Sequence, residues 1–258
     1  GLMHLFRRKQ KNTDNKINRG FNGEVILRPW GRDGVCQVLH CAGDTIDAGQ
    51  ITFDGRCDTL FCENARGRMT SWGKGNGSAA IIFESGFIQW KEKSGSLRLS
   101  DNVYLNQESL GIVEAKDEIT LLYEAALTGN FINEIQTKGY TTLTYTSNIT
   151  GQEQKLSCFG GIHLNQTAMK ALFYSPSMYG KIAEDQQVVF SDSLGEIHGD
   201  TIFVDYEMLR GKIQPVKMQV TGNVKVENQS LINSGNKKNI SQYALADEAL
   251  FFFRSQEM

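Results

Sequence analysis

Leu97-Arg-Leu-Ser-Asp-Asn-Val-Tyr-Leu-Asn-Gln107 is the stretch that decides the fold. Leu97, Leu99, Val103 and Leu105 alternate with polar neighbours, and a small polar pair interrupts the alternation before it resumes on the same face. Side chains on a strand change sides at every residue, so this pattern belongs to a half-buried strand and fits no helix. The motif returns about every sixty residues, in Leu156-Ser-Cys-Phe-Gly-Gly-Ile-His-Leu-Asn-Gln166 and in Met218-Gln-Val-Thr-Gly-Asn-Val-Lys-Val-Glu-Asn228. The apolar faces of these copies are Leu156, Cys158, Ile162 and Leu164, then Met218, Val220, Val224 and Val226. Such units stack into a sheet with one long apolar interior.

A second element recurs beside the first. Asp44-Thr-Ile46, Asp117-Glu-Ile119, Asp200-Thr-Ile202 and Asp247-Glu-Ala249 each open an alternating strand, and Tyr123, Tyr206 and Phe253 close three of them. The spacing is uneven, so the repeat is degenerate and carries insertions.

Composition agrees with an extended β protein. Twenty-six glycines against three prolines suit many turns between hydrogen-bonded strands. A charged fraction of 22% and a net charge of −2 argue against a nucleic-acid partner, which would call for a basic face. The longest apolar runs, Ala79 to Phe83 and Ala249 to Phe253, are far shorter than a membrane-crossing helix and read as strands. The basic stretch His4-Leu-Phe-Arg-Arg-Lys-Gln-Lys11 reads as a solvated, disordered tail over residues 1–20, or as the flank of a removed membrane segment.

The pairing of His198-Gly-Asp-Thr-Ile-Phe-Val-Asp-Tyr206 with the strand Thr221-Gly-Asn-Val-Lys-Val226 resembles the OstA-like periplasmic domains of lipopolysaccharide transport. The resemblance covers about residues 195–254, with weaker echoes over 95–206 and 36–55. It implies an all-β, elongated β-jelly roll or β-taco over residues 21–258, and the repeats allow two sub-units meeting near 130–150. It also implies a passive periplasmic conduit without cofactor, in which an apolar slot shields acyl chains while sugars stay in water. The expected lipid-lining residues are Leu97, Leu99, Val103, Leu105, Leu156, Ile162, Leu164, Met218, Val220, Val224 and Val226. Lipopolysaccharide is the expected ligand, in the periplasm of a Gram-negative bacterium and with membrane association if an anchor precedes the chain. Open strand edges, Gly23 to Arg28 at one end and Tyr243 to Arg254 at the other, would pair with further transport components or with a second copy. Lys237-Lys238 and the basic N-terminus are the alternative, capping those edges against association.

Cys36-Gln-Val-Leu-His-Cys41 and Cys57-Asp-Thr-Leu-Phe-Cys62 share one pattern. Neighbouring strands in register would bring Cys36 to Cys57 and Cys41 to Cys62, within disulfide reach, while reduced core thiols are the alternative. A metal site is disfavoured, because residues five apart on a strand point to opposite faces. Cys158 is expected as a packed free thiol. Catalysis is not expected: the four histidines are scattered, no nucleophile elbow is present, and Gly67 to Gly75 departs from phosphate-loop spacing and reads as a turn. Two rival readings share these strands. One is a structural or adhesive β-solenoid with a dry core; the other is an enzyme or sugar-binding module using Trp30, Trp72 or Trp90.

Overall fold

The computed structural model describes residues 23–29, 34–40, 43–70, 80–126, 129–147, 151–176, 182–209, 212–229 and 241–253. Twenty strands and a single 3₁₀ turn at Glu184–Gln186 make up the regular structure among these residues. The first six strands are β1 Glu24–Leu27, β2 Cys36–His40, β3 Asp44–Ala48, β4 Gln50–Asp54, β5 Thr59–Met69 and β6 Ile81–Lys91. Next come β7 Ser96–Ser100, β8 Val103–Gln107, β9 Gly111–Ala115, β10 Glu118–Ala126, β11 Gly129–Lys138, β12 Thr141–Thr146 and β13 Glu153–Cys158. The last seven are β14 Gly161–Asn165, β15 Lys170–Tyr174, β16 Val188–Ser191, β17 Gly195–Gly199, β18 Thr201–Leu209, β19 Lys212–Gln229 and β20 Ser241–Phe252. All pairings are antiparallel, as the all-β reading requires.

The pairings trace two ladders. A first leaf runs β1–β4–β5–β6–β7–β10–β11–β14–β15–β18–β19–β20. A second runs β2–β3–β5–β6–β8–β9–β12–β13–β16–β17–β19–β20. The long strands β5, β6, β19 and β20 belong to both, so one sheet is folded over along a line that crosses them. This is the folded β-jelly roll. The ladders are continuous across 130–158, the expected tail over 1–20 lies outside the described residues, and Gly67 belongs to β5 instead of a turn, opposite Phe83.

The interruptions in the repeated motif are the corners of this fold. Asp101 and Asn102, between β7 and β8, both adopt positive φ, a region that Asp and Asn tolerate better than other residues with a side chain. The second corner needs glycine. Gly161 sits at φ +128°, and a Cβ there would run into the Thr137 carbonyl oxygen. In the third copy the corner is a bulge inside β19, where the register against β20 shifts between Thr221 and Val224.

The Asp-led elements tie neighbouring corners together. Asp101 N–H donates to the Asp117 carbonyl at 3.0 Å, and Thr70 N–H donates to Asp44 Oδ1 at 2.6 Å. Asp200 accepts from Gln187 Nε2 at 3.1 Å and from Asn223 Nδ2 at 2.9 Å. Both sequence signals therefore mark one seam of turns, along which polar side chains satisfy backbone and side-chain groups that the ladders leave unpaired.

Candidate functional site: an apolar chamber between the leaves

Inward residues line up in rows across the strands. On the first leaf one row reads Ile135, Leu164, Ala171, Val204, Met218 and Phe251. On the second the corresponding row reads Leu105, Val113, Leu143, Leu156, Phe190, Ile197 and Val226. Nearer the fold line, Ile162, Phe173, Ile202 and Val220 form another row. This arrangement follows from period-2 alternation held in register over many pairings.

All eleven residues expected to line a slot face the interior. Ten are buried and belong to one contiguous core, and Val226 is partly buried and packs against it. They do not share one environment. Leu97, Leu99 and Leu105 are fully buried, paired across the strands with Trp90, Ile88 and Phe83. There Trp90 Nε1 donates to the Tyr123 hydroxyl at 2.6 Å. Burial pushes the Tyr123 phenol up to about 12, against the lowering effect of that bond.

Toward the C-terminal half the rows part. A small chamber there leaves about 30 Å³ of space for a water-sized group and is in part open to solvent. Leu143, Tyr145, Leu156 and Phe190 wall it from the second leaf. Ala171, Phe173, Val204, Tyr206, Ile213, Pro215 and Met218 wall it from the first, and Phe253 closes one side. Its exposed lining is wholly apolar, and burial raises the Tyr145 and Tyr206 phenols far above their ordinary value, so neither supplies a charge. The space has room for about two water-sized groups, so an alkyl chain enters only as the leaves move apart.

Of the expected lining residues, Leu156 and Met218 reach this chamber. Tyr206 and Phe253 were visible in the sequence as the aromatics closing Asp-led strands. Leu143 and Phe190 carried no such signal because they lie on strands outside the repeated motif, and Ile213 because it precedes the motif on β19. Tyr206 also follows a register shift at Asp205, and Tyr123 follows the equivalent shift at Leu122. At both places a bulge turns an aromatic into the interior.

The expected cysteine pairing does not form. Cys36, Cys57, Cys62 and Cys158 are free thiols, and Cys41 lies outside the described residues. The reason is topological: β3 stands between β2 and β5, so the two cysteine-bearing segments are not ladder neighbours. Cys57 falls in the exposed turn between β4 and β5, whereas Cys36 and Cys62 are buried. Desolvation pushes the Cys62 thiol up to about 12, and a charge on Cys36 would push it further in the same direction. Cys158 is buried and donates its S–H to the Gly161 carbonyl at 3.1 Å. Trp90 is buried in the core, and Trp30 and Trp72 lie outside the described residues.

No family model matches the chain, and no curated protein matches it. Among solved structures it is similar to LptH, the LptA homologous periplasmic component of the conserved lipopolysaccharide transport device from Pseudomonas aeruginosa. Identity is 11% and the TM-score 0.40, over 64% of this chain and 94% of that one. Among the described residues no helix is long and apolar enough to cross a membrane.

Proposed function

We propose that this chain is a non-catalytic lipid carrier of the bacterial periplasm that shields acyl chains of lipopolysaccharide between its leaves. The observation that carries this reading is the chamber: a space bounded by aliphatic, aromatic and uncharged tyrosine side chains, opening at the rim of a folded sheet. Burying each methylene of an acyl chain there is favourable by about 0.8 kcal/mol, while the sugars remain in water. The sequence resemblance of the 195–254 segment to OstA-like domains supports the choice of lipid. The free strands at both ends support assembly with transport partners or with further copies.

The test is a photo-reactive residue at Leu156 or Met218, irradiated with purified rough lipopolysaccharide. Lipid adducts are expected at these two positions and not at Leu99, which lies in the packed half. Absence of adducts at both chamber positions removes the proposal. The closely packed half around Trp90 favours a second reading, a dry structural β-solenoid. Native mass spectrometry separates the two, since a dry core retains no lipid after gentle purification.

A further inference from the structure

Away from the chamber, the outer face of the second leaf carries a cluster of metal-ligating side chains. β17 pairs β19 with Glu196 opposite Glu227 and His198 opposite Lys225. Ile197 and Val226, between them, belong to the core side, so alternation sends all four polar side chains to the outer face. Gly195 allows the strands to approach closely at this point, because a Cβ there would run into the Glu227 carbonyl oxygen.

Two carboxylates directly opposite one another on an antiparallel pair repel. Here an imidazole joins them. His198 Nε2 lies 3.2 Å from Glu196 Oε2, and one ligand atom from each of Glu196, His198 and Glu227 falls within 4.8 Å of the other two. Lys225 Nζ approaches Glu227 Oε1 at 2.7 Å, and this contact holds the Glu227 carboxyl below its ordinary value. Glu184, in the 3₁₀ turn, acts on the same ammonium, so a single positive charge is shared while Glu196 still faces Glu227. The three ligand side chains are only partly open to solvent, His198 least at 20%.

We infer that Glu196, His198 and Glu227 form a binding site for a zinc-type divalent cation, which staples β17 to β19. Bonds of about 2.0–2.2 Å to imidazole nitrogen and carboxylate oxygen set neighbouring ligand atoms about 3.4 Å apart around a tetrahedral ion. The His198–Glu196 pair already stands near that spacing, and rotation of the partly exposed Glu227 carboxylate brings in the third ligand. His198 ligates through Nε2 as the neutral imidazole, and water completes the coordination on the open side. One nitrogen and two oxygens favour a first-row cation over calcium or magnesium, which take oxygen donors. The bound charge also cancels the repulsion between the facing carboxylates. Because the cluster lies on the outer face, it does not depend on the carrier function.

The test uses the full chain with Cys41→Ser and Cys57→Ser, so that neither thiol competes for metal, stripped with a chelator and titrated with zinc chloride by calorimetry. One ion per chain is expected to bind, and at a hundredfold excess over Kd to raise Tm by about 5 °C or more, since it links two strands of the folded state. His198→Ala and Glu227→Gln should each weaken binding by at least about tenfold, the lower bound for losing even an outer partner of a metal. Glu227→Gln is nearly isosteric on the strand exterior, so its loss of binding is not a loss of fold. Lys225→Gln removes the ammonium that competes for Glu227 and should tighten binding by about threefold or more. No zinc binding by the parent overturns the site. Parent affinity retained in His198→Ala and Glu227→Gln, or unchanged or weaker binding in Lys225→Gln, places the ion elsewhere on the chain and overturns it as well.

Discussion

Ala171→Phe should separate a chamber from a merely loose core. Ala171 lies between Leu164 and Val204 in the inner row of the first leaf, and its methyl group faces the empty space. A benzyl ring there would fill the open space beside it and reach toward the facing leaf. Burial of the ring is worth about 1.5–3 kcal/mol, less about 0.5–1 kcal/mol of rotamer entropy, so the variant should gain about 1–2 kcal/mol. For a chain of this size that is a rise in Tm of about 2–6 °C. The matched control is Ala115→Phe, in the packed core, where overpacking should cost about 1–3 kcal/mol and lower Tm by several degrees. Lipid affinity should fall in Ala171→Phe by at least about tenfold, about 1.4 kcal/mol, because the displaced methylenes lose their burial. Tm by calorimetry and cis-parinaric acid titration read both effects. Unchanged lipid binding, or a loss of stability equal to that of the control, refutes the reasoning.

Trp90→Phe deletes the 2.6 Å bond to the Tyr123 hydroxyl and leaves a small void; urea unfolding should show a loss of about 1–4 kcal/mol, and a loss under about 0.5 kcal/mol would contradict the packing described. In Cys41→Ser protein at pH 8, a thiol-exchange reagent should titrate Cys57 quickly; Cys62 and Cys158, held at about 12 and about 11 by burial, should react only on unfolding. Desolvation acts to raise the Glu118 pKa, but Lys138 and Arg98 outweigh it and hold the carboxyl below its ordinary value. A depressed folded-state pKa gives stability that is present above the unfolded value and lost as pH falls through the folded one. Glu118→Gln should therefore flatten the acid limb of stability against pH, and an acid limb unchanged from the parent would exclude this pair of contacts as its source.

Much of the fold was legible because alternation is local. Leu97 through Leu105 shows its inward face in nine residues, and the Asp101–Asn102 interruption can be seen before its meaning as a corner is known. The chamber was less legible. Which inward rows touch and which stand apart depends on the separation of the leaves, set by long hairpins and bulges such as Asp205/Tyr206, and no periodicity reports that distance. Leu99 and Met218 have the same signature in sequence, yet one is packed and the other borders open space. The cysteine pairing failed for a related reason. Equal spacing suggested adjacent strands, but the intervening β3 hairpin strand claimed the ladder position between them.

The two ends of the sheet are unlike in a way that makes them complementary. At the C-terminal end one continuous strand, β20, spans both leaves, with Ala246 and Glu248 on either side of the fold line. The N-terminal end has two shorter edges, β1 on the first leaf and β2 on the second. β1 runs toward the fold line, whereas the Glu248–Phe252 half of β20 runs away from it. β2 runs away from the fold line, whereas the Ser241–Ala246 half of β20 runs toward it. Stacking one copy on another with like leaves aligned thus gives antiparallel pairing on both leaves at once, the geometry the rest of the sheet uses. Tyr243, Leu245, Leu250 and Phe252 are exposed along the β20 edge, on either side of the acidic pair Asp247–Glu248. Leu245→Lys with Phe252→Lys should abolish concentration-dependent association while leaving Tm within about 2 °C, since neither side chain is in the core. Sedimentation velocity across a concentration series decides it: association that persists in the double variant excludes this edge as the contact.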